Sequence, residues 1–159
     1  MSDKTYVPEG EQEPASQIGA TVEALAKTIA ARRGAGEESY THRLLFGGAD
    51  EPLKKVVEEA NEVALAGKDV EAALADARML AQAGDHHEQA AARFEAKADE
   101  CRDHLRYEAG DVVYHLLVVL ERYGIPLEEL AAELNNRMTD EERPAGALRL
   151  RAEHVKRGK

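Results

Sequence analysis

The chain has 159 residues, 33% of them charged, with a formal net charge of -10 and only 4% aromatics. That length describes a single domain with its own core, and the acidic balance excludes non-specific binding of nucleic acid, which rests on Lys and Arg neutralising phosphates. Cys101, the single cysteine, excludes an intrachain disulfide and a thiolate-rich zinc site. It reads as a small core or seam residue rather than a nucleophile.

Ala, Glu and Leu dominate, a composition that favours helices because straight-chain side chains lose little freedom in them. Residues 1–15, polar and acidic with Pro8 and Pro14, are expected to form a disordered tail. No basic n-region precedes an apolar run there, so no signal peptide is expected. A domain over residues 16–138 follows. Ile18, Val22, Leu25 and Ile29 recur at helical spacing and predict a first helix ending near Arg32-Arg33-Gly34. Ser39 to Phe46 predicts a short helix closed by Gly47-Gly48.

Asp50 is the expected N-cap of a second long helix, with Pro52 in its first turn and Leu53, Val56, Val57, Ala60, Val63 and Ala64 on one face. A third helix is predicted over Tyr107 to Tyr123, stopping at Gly124. Pro126 opens a fourth, with Leu127, Leu130, Leu134 and Met138 as its stripe. Residues 139–159 are expected to be a charged tail with little fixed structure.

Residues 70–106 lie between the second and third helices. Val70, Leu74, Ala77 and Ala81 on one side, and Phe94, Ala98, Cys101 and Leu105 on the other, form narrow seams suited to two antiparallel helices. Gly84-Asp85 is the expected turn, with Asp85 and Glu88 as a variant capping box. His86-His87 falls at this turn and reads as structural, since adjacent residues diverge on a helix. Gly67-Lys68-Asp69 is a second candidate break, which leaves one long hairpin and an interrupted one both open.

Two acidic motifs carry the chemistry. Glu58-Glu59-Ala60-Asn61-Glu62 lies on the second helix and Glu108-Ala109-Gly110-Asp111 on the third. Residues three or four apart share a helix face, so Glu59 pairs with Glu62 and Glu108 with Asp111. A continuous hairpin centred near residue 85 sets Glu62 opposite Glu108 and Glu59 opposite Asp111, and projects roughly 30 Å beyond them at about 1.5 Å per residue. Four carboxylates facing one point suit hard Mg2+ or Mn2+. A solvated acidic face is the competing reading of the first motif. The third helix favours a site, because Val112 to Leu120 is apolar nearly all round while His104, Glu108, Asp111, His115 and Arg122 form one polar stripe.

An acidic protein repels a polyphosphate unless cations or a local basic cluster intervene. Lys54 and Lys55 serve equally well as phosphate contacts or as surface ion-pair partners of Glu51, Glu58 or Glu59. Arg32, Arg33, His42 and Arg43 are candidate phosphate contacts that read as readily as surface charge. The near all-round apolarity of the third helix predicts burial by a second copy of the chain. Val112 to Leu120, the most apolar run, is too short to span a bilayer. A soluble, cytoplasmic protein without membrane partners is the expectation.

Ser39-Tyr40-Thr41, the run from Lys54 to Val63, and Tyr107 to Leu117 together resemble phosphoribosyl-ATP pyrophosphatase, within the wider MazG-like superfamily of nucleoside triphosphate pyrophosphohydrolases. Leu127 to Met138 resembles that family's closing helix. The resemblance implies an all-α helical bundle, a homodimer, and Mg2+-dependent hydrolysis of phosphoribosyl-ATP to phosphoribosyl-AMP and pyrophosphate, the second step of histidine biosynthesis. It implies Glu59, Glu62, Glu108 and Asp111 as metal ligands and Glu58 as an accessory acidic residue or the catalytic group that orients the attacking water and helps to deprotonate it. Lys54 and Lys55 would be phosphate contacts, with Arg43 a further candidate. The family joins its motif helices by a short connection, whereas this chain carries roughly thirty more residues, an inserted helical hairpin. A MazG-like enzyme for other nucleoside triphosphates and a non-enzymatic helical binding module are the alternatives.

Overall fold

Helical periodicity governs the chain from Gln17 onward. In the computed structural model, which describes residues 4–83 and 87–155, every regular element among the described residues is helical. Helix α1 (Gln17–Ala31) starts where Ser16 leaves extended backbone and its side chain accepts a hydrogen bond from the Gly19 amide, satisfying one of the unpaired first-turn donors. A 3-10 turn, Arg32–Gly34, follows. Ser39 caps α2 (Tyr40–Phe46) in the same manner, through the His42 amide. Gly47 closes α2 because a Cβ there would stand 2.6 Å from the Arg43 carbonyl oxygen.

Helix α3 (Asp50–Gln82) differs from expectation at its start: the cap is Ala49, itself in helical conformation, and Asp50 lies inside the first turn. There its charge still complements the N-terminal end of the helix dipole. The helix runs without interruption through Gly67-Lys68-Asp69. Helix α4 (Glu88–Arg122) is likewise continuous from the inserted segment into the second acidic motif. The chain leaves α4 through Gly124 at φ +67°, a left-handed conformation that glycine adopts without penalty. Helix α5 (Leu127–Asn135) is shorter than its apolar stripe suggested, so Met138 lies beyond its end. Past it, the Arg143 guanidinium donates to the carbonyls of Asn135 and Met138, and Asn135 Nδ2 donates to Leu148 O at 2.9 Å, holding the following chain against α5.

Helices α3 and α4 form one long antiparallel hairpin. Its expected turn at Gly84-Asp85, with His86, lies outside the described residues; His87 is the residue before α4. The seam is built from Ala66, Val70, Ala73 and Ala77 against Ala91 and Ala98, all buried. Leu74, Phe94, Cys101 and Leu105 are half-buried beside it, whereas Ala81 near the turn is exposed. Small side chains at the contact allow the two backbones to approach closely.

The principal core lies at the other end. Ile29, Leu44, Leu45, Leu117 and Val118 are buried together, with Val22, Leu25, Tyr114, Leu120 and Leu127 packed around them. Helices α1, α2 and α5 thus gather on the C-terminal half of α4. Arg122 adds a polar tie, donating to Leu44 O at 2.7 Å and Gly47 O at 2.8 Å. No described helix is long and apolar enough to cross a membrane. The apolar face expected for α3 is partly open: Val57 is 70% and Leu53 42% exposed, while Val113 and Leu116 on α4 are 40% and 38% exposed.

Candidate active site

The acidic motifs meet where the seam passes into the core. Glu59 and Glu62 project from one face of α3, one turn apart, and Glu108 faces them from α4. One carboxylate oxygen from each of the three lies within 4.8 Å of the others. Glu59 and Glu108 are buried while Glu62 is exposed. Asp111 does not join this group of three; it is half-buried one turn further along α4, on a side chain one methylene shorter. Its charge is nonetheless felt by His115.

Carboxylates held this close cannot all keep ordinary affinities for protons. Glu62 is held above the usual carboxylate range, first by its hydrogen bond with Glu59, then by desolvation and the charge of Glu108. Glu59 moves the other way, chiefly because Lys55 donates to it. The Lys55 ammonium lies 2.7 Å from Glu59 Oε1 and 3.1 Å from Glu58 Oε2, bridging the two. Lys55 itself is held well above its usual range by these two carboxylates.

Two histidines flank the group. His104 Nε2 lies 2.8 Å from Glu108 Oε1, one helical turn away, and His115 Nε2 lies 3.7 Å from Glu59 Oε1 across the helix pair. His115 is 5% exposed, and burial pulls its imidazole below the ordinary range against the opposing charge of Glu59. Its ring meets those of Tyr114 and Tyr40 edge-on, at 5.0 and 6.2 Å between centroids. Tyr114 shares a 2.7 Å hydrogen bond with Thr41, fastening α2 beside the site. Sequence reasoning put both histidines on the polar stripe without giving them site roles. The signal was present in the four-residue steps from His104 to Glu108 and from Asp111 to His115.

The remaining candidates lie around this centre with different partners. Glu58 is exposed apart from its contact with Lys55. Lys54 lies on the exposed face with Asp50, Leu53 and Val57, beside a shallow groove. Arg43 donates to the carbonyls of Glu37 and Glu38 and lies over the Tyr40 ring. Arg33 donates to Glu121, and His42 Nδ1 contacts the carbonyls of Arg32 and Arg33, so these two brace the α1–α2 connection. A groove of about 520 Å³ opens along the hairpin next to His104, lined by Asp69, Asp76, Phe94, Lys97 and Cys101 among others.

Among the described residues every regular element is helical, and the carboxylates clustered on two antiparallel helices, flanked by a lysine and two histidines, could hold a metal ion. The family model of phosphoribosyl-ATP pyrophosphohydrolase matches residues 22–138. A phosphoribosyl-ATP pyrophosphatase of Methylobacterium nodulans is 39% identical over 120 residues, covering 75% of this chain and 84% of that protein. Phosphoribosyl-ATP pyrophosphatase 1 of Bradyrhizobium diazoefficiens is 36% identical over 118 residues, covering 74% and 83%. A phosphoribosyl-ATP pyrophosphatase of Rhizobium etli is 40% identical over 101 residues, covering 64% and 66%. No solved structure matches the chain. The chain belongs to the phosphoribosyl-ATP pyrophosphohydrolase family, and the matched span contains both acidic motifs and the hairpin between them.

Proposed function

We propose that the protein hydrolyses phosphoribosyl-ATP to phosphoribosyl-AMP and pyrophosphate, the second step of histidine biosynthesis, in the cytoplasm. The observation that carries this reading is the meeting of Glu59, Glu62 and Glu108 on the two helices that match the family. Oxygen donors at such spacing fit Mg2+ or Mn2+, and Glu62 is held protonated to higher pH by its hydrogen bond with Glu59, by desolvation and by the charge of Glu108, a crowding of carboxylates that a cation would relieve. Glu59, Glu62 and Glu108 would hold the cation, with Asp111 as a fourth ligand from the next turn of α4. When bound, it supplies positive charge to polarise phosphoryl oxygens and acidify water.

The chain's own groups account for the remainder. Glu58, exposed beside Lys55, accepts the proton of the attacking water as its oxygen bonds to the α-phosphorus and the α–β anhydride breaks, expelling pyrophosphate. Lys54 and Lys55 bind phosphate oxygens, Lys55 leaving its carboxylate partners to do so, and Arg43 on α2 is a third candidate contact. Positioning and charge stabilisation carry the rate. A second copy of the chain covers the open face around Val57, Val113 and Leu116, giving a homodimer.

The deciding experiment measures pyrophosphate release from phosphoribosyl-ATP and from ordinary nucleoside triphosphates, with and without Mg2+. Strong preference for phosphoribosyl-ATP, dependent on metal and lost in Glu62→Gln and Asp111→Asn, supports the proposal. Equal or faster turnover of ordinary triphosphates would move the protein to a nucleotide house-cleaning role. Full activity in both variants would remove the carboxylates from the mechanism.

A further inference from the structure

His115 is the buried polar group for which the reaction just described has no use. It is 5% exposed, its Nε2 faces Glu59 Oε1 at 3.7 Å, and its Nδ1 is buried with no hydrogen-bond partner among the described residues. A side chain serving only to fill this place beside Tyr40 and Tyr114 would be better apolar, because an imidazole brings a polar atom that the surroundings leave unsatisfied. The cost is incurred for the other nitrogen. A carboxylate accepts hydrogen bonds and cannot donate them when ionised. A proton on Nε2 therefore points at Glu59 and leaves a lone pair on Nδ1. The opposite tautomer would bury an unpaired N–H and turn a lone pair toward the carboxylate.

We propose that His115 is a positioning residue: as the Nε2–H tautomer it orients the Glu59 carboxylate toward Glu62 and Glu108 and so sets the affinity of the site for its cation. At 3.7 Å the contact is longer than a formed hydrogen bond, and hydrogen bonds at catalytic sites often tighten only in the substrate complex. Lys55 approaches the same Glu59 oxygen at 2.7 Å. When Lys55 turns to phosphate, His115 remains the group that keeps Glu59 from swinging, because the two tyrosine rings and the α4 backbone fix the imidazole. The role rests on the metal-dependent reading of the site, and its test separates the two.

The test combines nitrogen-15 correlation spectra of the metal-free protein with Mn2+ titrations of the wild type, His115→Phe and His115→Gln. His115→Phe keeps an aromatic ring without the N–H; His115→Gln restores an N–H at similar reach. The expected spectrum, assigned by the peak missing from His115→Gln, is that of the Nε2–H tautomer. Mn2+ affinity should fall about 10- to 100-fold in His115→Phe, the range found for lost outer-shell partners, and recover in His115→Gln. Activity in His115→Phe should return at saturating metal, which a general packing defect would not allow. An Nδ1–H tautomer, unchanged affinity in His115→Phe, or no recovery in His115→Gln would overturn the proposal. If the wild type binds no Mn2+ yet shows the expected tautomer, the metal reading of the site fails first and this role falls with it.

Discussion

Replacing Lys55 by methionine removes the counter-ion of a buried carboxylate and keeps most of the aliphatic stem. Glu59 is 5% exposed and receives the ammonium at 2.7 Å. At an effective dielectric constant of about 20, two unit charges at that distance attract by on the order of 6 kcal/mol. Desolvation and the open side of Lys55, 32% exposed, cut that figure. Breaking a fully buried pair costs about 3–5 kcal/mol and an exposed pair about 0–1 kcal/mol. A loss of about 2 kcal/mol lies between, equivalent to a melting point lower by roughly 4–8 °C at this chain length. The sign with pH follows from Glu59, whose carboxyl Lys55 holds below its ordinary value of 4.5. That stabilisation is fully present above 4.5 and is lost as pH falls through the folded-state value, so wild type and variant should converge in acid. Saturating Mg2+ should also close most of the gap, since the ion then supplies the positive charge. Calorimetric melts at neutral pH with and without Mg2+ measure both. A Lys55→Met protein as stable as wild type without metal, or an equal deficit in both conditions, would refute the reasoning.

Three further outcomes follow from named contacts. Glu62 keeps its proton to higher pH than an ordinary carboxylate, so binding Mn2+ must expel it. Apparent affinity should rise with pH through that raised value and then level off, and calorimetry in buffers of different ionisation enthalpy should detect protons released on binding along the rising limb; no release there contradicts the assignment. Arg122→Met removes two charge-assisted bonds, to Leu44 O and Gly47 O. It should cost about 2–3 kcal/mol in urea unfolding, and an unchanged midpoint would exclude that tie. Joining Val70 to Cys101 by a short Gly-rich turn excises the outer hairpin but none of the clustered carboxylates. Mn2+ affinity should stay within about threefold, under ~1 kcal/mol, and a larger loss in a folded variant would show that the arm supports the site.

Much of the fold was legible because helices advertise themselves at fixed spacing, and an antiparallel pair reads in reverse about its turn. Glu62 and Glu108 were set opposite each other on that basis, and both belong to the acidic group in the structure. The same rule paired Glu59 with Asp111 and gave no sign that Glu108 and His115 approach Glu59 from α4. Position along a helix is fixed by the backbone, but a glutamate reaches most of a turn up or down. Register therefore predicts neighbourhood better than contact. Asp50 and Met138 were misplaced for a related reason: helix ends depend on local hydrogen bonds that an apolar stripe does not report. The Lys55 bridge was one of two readings that i,i+3 and i,i+4 spacing left open. The His104–Glu108 pair follows i,i+4 spacing, but the approach of His115 to Glu59 across the helix pair depends on side-chain direction, which a one-dimensional pattern lacks.

The hairpin has a mechanical consequence. Helices α3 and α4 are each unbroken, so Glu59, Glu62 and Glu108 stand on the same two rods that form the outer arm. Nothing between them acts as a joint. The rods stay packed on each other well beyond the site, through the buried Ala73, Ala77, Ala91 and Ala98, so a push on the arm is carried along unbroken helix to the carboxylates. Cutting the arm back to Val70 and Cys101 would shorten both rods yet leave Ala66 and Val70, with Leu117 and Val118 in the core, to hold them together at the carboxylates.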